Sequence, residues 1–216
     1  MSVLITGTST GIGKATAEKF IENGFFVIGI DRADTQIVDD LYLHIQWDIT
    51  DYNNMPNIPL PISYLINNAG TQNENDIDVN LKALIKVTEK FGVQPSIKSI
   101  VNIASTSAHN GAEFPEYAAS KGGLLAYTKN VASRIAQFGA TCNSISPGGV
   151  ITNMNKHILD SNELYDKVLN ETLLHKWATP EEIADWIYFM SVNNKSVTGQ
   201  DIIIDNGETS KFNFVW

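Results

Sequence analysis

Thr6-Gly7-Thr8-Ser9-Thr10-Gly11-Ile12-Gly13 is the stretch on which the reading of this chain turns. The apolar run 3–6 ahead of it reads as a strand, and the stretch 12–23 behind it has helical spacing, so three glycines fall in a strand-to-helix turn. Glycine there allows a tight turn and a close approach of backbone to a pyrophosphate, whose charge the free amides at the helix start would meet. Working outward, strand-length apolar runs alternate with helix-period stretches. Strands are predicted at 3–6, 25–30, 43–47, 64–67, 99–104, 141–146 and 201–204, and helices at 12–23, 77–91, 116–137 and 180–192. This alternation is the sequence form of βαβ units and predicts an α/β fold with a mostly parallel sheet. Two local signals sharpen the boundaries. Asn23-Gly24 closes the first helix, and Thr179-Pro180-Glu181-Glu182 supplies cap, first-turn proline and capping-box partner for the last.

The 216 residues, 43% of them hydrophobic, suffice for one sizeable core, and no linker or repeat interrupts the pattern, so a single domain over 1–216 is expected. Fifteen Lys and Arg against 24 Asp and Glu give a net charge of −9. The lysines are scattered among acids, which argues against nucleic acid and against an anionic membrane surface as partners. Cys142 has no second cysteine to pair with, and His44, His109, His157 and His175 form no cluster with metal-site spacing, so no metal is expected. No run reaches the roughly 18 apolar residues of a membrane helix, and the first residues lack a basic region and cleavage site; a cytoplasmic setting is the expectation.

Asp31 ends the second predicted strand about twenty residues after the glycine turn, where a carboxylate accepts hydrogen bonds from the adenosine ribose hydroxyls and repels a 2′-phosphate. This favours NAD over NADP. Arg32 complicates the choice, since a guanidinium beside the ribose is suited to that phosphate. Tyr117 and Lys121 lie four apart on a predicted helix and therefore share a face. A neighbouring ammonium favours a phenolate and brings a phenol into the range of a proton carrier near neutrality. Ser105, at a strand end twelve residues before Tyr117, joins them, as do Asn67-Asn68-Ala69-Gly70 after another strand and Asn80 entering a helix.

Taken in order, these signals resemble the short-chain dehydrogenase/reductase family over nearly the whole chain. The matching pieces are Thr6 to Gly13, Asp48 after the third strand, Asn67 to Gly70, and Val79-Asn80. They continue with Ser105, Tyr117-Ala118-Ala119-Ser120-Lys121, Asn143 through Pro147-Gly148, and Thr198-Gly199-Gln200. The resemblance implies a three-layer, doubly wound Rossmann-type fold with about seven strands and an NAD(P)-binding site. It implies Tyr117 as general acid in reduction and base in oxidation, and Lys121 as the group that lowers its pKa and binds the nicotinamide ribose. Asn80 would hold a water in a relay through that lysine, and Ser105 would hydrogen-bond the substrate oxygen. It further implies cofactor contacts at Gly7, Ser9, Thr10, Gly11, Ile12, Gly13, Asp31 and Arg32. Asp48 and Ile49 would meet the adenine, Asn68, Ala69 and Gly70 the adenosine side, and Pro147, Gly148, Val150 and Thr152 the carboxamide region. A homodimer or homotetramer is implied as well.

Two departures stand out. The stretch 51–61 carries Pro56, Pro59 and Pro61, so no regular helix fits where the family has one, and 70–80 is shorter than usual. Both place the pocket shape and the subunit pairing in question. The segment 153–178 corresponds to the family's variable substrate lid, with Ile158, Leu159, Leu164, Tyr165, Val168, Leu169, Leu173 and Leu174 at near-helical spacing. It reads either as a lid on an apolar substrate or as a helix pair packed on the sheet. The aromatic end, Lys211 to Trp216, is expected to dock on its own domain or a neighbouring subunit. The leading functional expectation is hydride transfer between NAD(H) and a carbonyl or secondary alcohol. The alternatives are an NADP-dependent 3-oxoacyl thioester reductase, a dinucleotide-binding regulator without turnover, and dehydration, epimerisation or isomerisation on the same scaffold.

Overall fold

The structure, a computed structural model, describes residues 1–112 and 114–212. Seven strands form one sheet in the order β3-β2-β1-β4-β5-β6-β7, every pair parallel. They are β1 (Ser2–Thr6), β2 (Phe26–Asp31), β3 (Tyr42–Gln46), β4 (Ile62–Asn67), β5 (Ser99–Ile103), β6 (Thr141–Pro147) and β7 (Asp201–Ile204). The helices are α1 (Gly11–Glu22), α2 (Leu84–Phe91), α3 (Ser107–Asn110), α4 (Pro115–Ile135), α5 (Lys156–Leu159), α6 (Asn162–Leu169) and α7 (Pro180–Tyr188). All seven predicted strands are present within two residues of their expected limits.

Alternation of side chains along each strand builds the three layers. Val3, Ile5, Val27, Tyr64, Ile66, Val101 and Ile145 pack with Phe20 of α1 and Ile183 and Ile187 of α7. Leu4, Ile28, Ile30, Leu65, Ile100 and Cys142 face the other way, against Val87 and Phe91 of α2 and Val131 and Ile135 of α4. Strands buried on both faces read as continuous apolar runs, which is why periodicity of two was muted in the sequence.

Four regions refine the expectation. The predicted helix 77–91 opens as a π-helical segment, Ile77–Ala83, before α2 begins. The helix expected over 116–137 ends at Ile135 and closes in a 3₁₀ turn, Ala136–Phe138. Between β3 and β4 the proline-rich stretch holds only a 3₁₀ turn, Tyr52–Asn54, as its prolines require. The predicted 180–192 helix passes from α7 into π-helical Phe189–Asn193, and its start is a full capping box: the Glu182 amide donates to Thr179 Oγ1 at 3.3 Å and the Thr179 amide to Glu182 Oε2 at 2.9 Å. The segment 153–178 contains α5 and α6, both short. No helix among the described residues is long and apolar enough to cross a membrane. Of the aromatic end, Asn213 to Trp216 lie outside the described residues.

Candidate active site

Strand order reverses between β1 and β4, and ligands of open parallel sheets bind in the crevice that this reversal leaves at the carboxyl ends of the strands. A cavity of about 990 Å³ opens there. At one end it is lined by Gly7, Ser9, Thr10, Gly11 and Ile12, with Asp31 and Arg32 after β2, Asp48 and Ile49 after β3, and Asn68, Ala69 and Gly70 after β4. At the other end it reaches Ser105 after β5, Tyr117 and Lys121 on α4, and Pro147, Gly148, Val150 and Thr152 after β6.

The glycine turn owes its shape to crowding. Gly7 has φ +78°, and a β-carbon there would lie 2.7 Å from the Asn68 side-chain nitrogen. Asn68 staples the turn to β4: its amide nitrogen donates to Thr6 O at 3.0 Å and Gly7 O at 3.1 Å. Gly13 stands behind the residues that line the cavity; a β-carbon on it would sit 1.9 Å from Gly7 O, so it serves the close packing of α1 against the turn. No side chain caps α1, and its first turn holds no acid, so its leading amides face the cavity without a competing anion. Asp31 braces the same turn, accepting from the Ser9 amide and the Ala33 amide at 3.0 Å each. Asp48 accepts from the Thr50 amide and hydroxyl, which hold its carboxyl below the usual range, with a smaller contribution from the Arg32 charge.

At the far end Lys121 is 5% exposed, and its ammonium donates to Ile103 O at 2.9 Å. Burial lowers its pKa to about 8, opposed by the negative charge of Asp76. The lysine is therefore still an ammonium at neutral pH. Its Nζ stands 5.6 Å from the centre of the Tyr117 ring, as the four-residue spacing predicts. Ser105 Oγ donates to Ser107 Oγ at 3.1 Å and receives the Ser107 amide at 3.2 Å, which fixes it at the mouth of α3. Asn80 is 1% exposed and sits behind the cavity wall, not on it. Its side chain donates to Thr71 O at 2.9 Å and receives the Thr71 amide at 2.8 Å. In the lid segment Ile158, Val168 and His157 face the cavity, whereas Leu164, Leu173 and Leu174 are exposed.

Several lining residues carried no sequence signal. Phe114, Gln72, Glu74, Glu171 and Glu208 line the cavity from loops that periodicity cannot place. Trp177 lies against Gly149, where a β-carbon would stand 2.1 Å from its ring. Among the described residues no cluster of His, Cys, Asp or Glu is arranged to hold a metal.

The cavity thus fits a nicotinamide dinucleotide: an uncapped helix start for a pyrophosphate at one end, and a phenol, a buried ammonium and a hydroxyl at the other. Comparison with known proteins agrees. The family described as enoyl-(acyl carrier protein) reductase matches residues 62–209. The chain is 31% identical to a short chain dehydrogenase, adrF, of Penicillium roqueforti, covering 94% of this chain and 95% of that protein. It is 30% identical to the 3-oxoacyl-[acyl-carrier-protein] reductase FabG of Thermotoga maritima, covering 94% and 96%. A 4-hydroxyisoleucine dehydrogenase mutant solved in complex with NADH and succinate superposes with a TM-score of 0.89 at 28% identity, over 99% of this chain and 100% of that one. The chain belongs to the short-chain dehydrogenase/reductase family and is an NAD(P)-dependent oxidoreductase.

Proposed function

We propose that the enzyme uses NAD(H), with NADP(H) less favoured, to interconvert a small carbonyl compound and its secondary alcohol, with Tyr117 as the proton carrier. The observation that carries this reading is the placement of a buried ammonium, Lys121, against Tyr117 at one end of a cavity whose other end presents the glycine turn and Asp31. When bound, the nicotinamide supplies or accepts the hydride. Tyr117 gives a proton to the carbonyl oxygen in reduction and removes one from the alcohol in oxidation. Lys121 favours the phenolate form of Tyr117 by its charge and holds the cofactor's nearer ribose. Ser105 donates to the substrate oxygen and so steadies the charge that develops on it. Asn80, behind the wall, acts through Lys121 and not on substrate. Gly7, Ser9, Thr10, Gly11 and Ile12 would hold the pyrophosphate, Asp31 the adenosine ribose, and Asp48, Ile49, Asn68, Ala69 and Gly70 the adenine side. Pro147, Gly148, Val150 and Thr152 would hold the carboxamide.

A second reading, an NADP-dependent 3-oxoacyl thioester reductase, is favoured by the name of the Thermotoga maritima relative. Against it, the cavity carries Glu74, Glu171 and Glu208, while among the described residues the basic groups lining it are Arg32, Lys121 and His157. An acidic carrier protein meets no evident basic patch. Rates on neutral cyclic ketones and sugars beside a short 3-oxoacyl thioester decide between them: faster NADH consumption on the neutral compounds supports the first reading, and faster NADPH consumption on the thioester supports the second. We also propose self-association as a homodimer or homotetramer. Its support is the exposed aromatic pair Trp186 and Phe189, 45% and 50% exposed, and solution mass tests it.

A further inference from the structure

The shortened stretch between Gly70 and Asn80 is closed by a carboxylate that the mechanism above does not use. Asp76 is 1% exposed. Its Oδ2 accepts from the Asn73 amide at 2.8 Å, and its Oδ1 lies 3.0 Å from the Thr71 hydroxyl. Thr71 in turn clasps Asn80 with both of its backbone groups, at 2.8 and 2.9 Å. Asn80 and Lys121 converge on one point: a methyl group on Gly70 would stand 2.9 Å from Asn80 Oδ1 and 3.6 Å from Lys121 Nζ. A continuous path of contacts therefore runs from Asp76 through Thr71 and Asn80 to Ser120, the residue before Lys121, whose hydroxyl receives the Asn80 side-chain nitrogen at 3.3 Å.

We infer that Asp76 is a positioning residue of the proton path: it fixes the Asn80 amide through Thr71, and its charge keeps the buried Lys121 in the ammonium form that Tyr117 requires. The inference rests on the reading of Tyr117 and Lys121 as the proton-handling pair. The charge balance around Lys121 is simple. From its own helix it faces the Tyr117 ring, from β5 the Ile103 carbonyl, and the neutral Asn80 of the π-helical segment stands on the other side of Gly70; Asp76 is the one carboxylate found to act on it among the described residues. Both groups are nearly dry, so their attraction is weakly screened. Among the described residues one carbonyl oxygen accepts from the ammonium, so it has little other compensation for burial.

Removing a negative charge lowers the pKa of every acid near it, so the sign is the same for Lys121 and for Tyr117. In Asp76→Asn, which keeps the side chain's shape, carbonyl reduction should fall off at a pH lower by about half a unit or more. The Lys121 ammonium itself, followed by NMR on lysine-labelled protein and identified by its loss in Lys121→Met, should titrate lower by the same amount. Asp76→Glu keeps the charge and should leave that midpoint within about 0.3 unit of the wild-type value, even if the rate drops. A folded Asp76→Asn protein with an unmoved midpoint overturns the inference and leaves Asp76 as a loop tie only. If Asp76→Asn does not fold, a lowered midpoint in Asp76→Glu overturns it instead. The NMR midpoint needs no turnover, so a wild-type protein inactive on every carbonyl would refute the proposed reaction while still deciding the role of Asp76.

Discussion

Replacing Asp31 by alanine should reverse or level the choice between NADH and NADPH. Each hydrogen bond from a ribose hydroxyl to an ionised carboxylate contributes about 1.5–3 kcal/mol net when well shielded. Asp31 is only half-buried, and it already receives the Ser9 and Ala33 amides, so its hold on a ribose is nearer the low end of that range. Its loss should weaken NADH binding about 10- to 30-fold, at about 1.4 kcal/mol per tenfold. For NADPH the same change removes a like-charge contact with the 2′-phosphate, worth about 1 kcal/mol at 4 Å in water and more where solvent is excluded. It also leaves Arg32, whose charge is felt by Asp48, as the charged side chain beside the phosphate. The ratio of the two affinities should therefore move by about 100-fold toward NADPH. Paired titrations of NADH and NADPH, followed by cofactor fluorescence excited through the tryptophans, measure it. A wild-type protein that prefers NADPH, or a ratio that moves less than about threefold in the mutant, would refute the reasoning.

Gly13→Ala should place its methyl carbon against Gly7 O, 1.9 Å away and part of the backbone, so relief requires moving the turn itself. Stability should fall by about 1–3 kcal/mol and binding of both cofactors should be lost, which a thermal melt and the same titration read together. Lys121→Met should be inactive yet more stable at neutral pH. Moving a lysine from 10.5 to about 8 costs about 3 kcal/mol of stability below pH 8, offset in the comparison by about 1–2 kcal/mol for the lost bond to Ile103 O. Because the unfolded chain binds the extra proton between pH 8 and 10.5, wild-type stability gains on the mutant through that window, and the mutant's advantage shrinks. Denaturant melts at pH 7 and pH 10 check this; an advantage that grows with pH would contradict it.

Most of the site was legible because it follows from short-range patterns. The glycine turn sits between a strand and a helix, Asp31 ends the next strand, and Tyr117 and Lys121 share a helix face at any plausible helix boundary. Their convergence needed only the parallel sheet order, which the alternation of elements already implied. What escaped reading came from residues whose position depends on the path of irregular backbone. Glu208 reaches Gly148 from the loop after β7, and Phe114 precedes α4 without a periodic neighbour to orient it. Asn80 was legible as a motif residue, but not its place behind the wall: the π-helical opening of its helix and the shortened loop ending in Asp76 decide that, and over so few residues π and α spacing look alike. Gly13 was legible as a glycine of the motif, but not its place behind the cavity lining, because packing and phosphate approach demand the same residue.

The account stands on proton transfer by Tyr117, and Tyr117→Phe tests it most directly, since the ring beside Lys121 remains and only the hydroxyl is lost. With a carbonyl substrate that the wild-type enzyme reduces, turnover should fall by about 100- to 10,000-fold while NADH affinity stays within about threefold. A mutant rate within about threefold of wild type would contradict the mechanism.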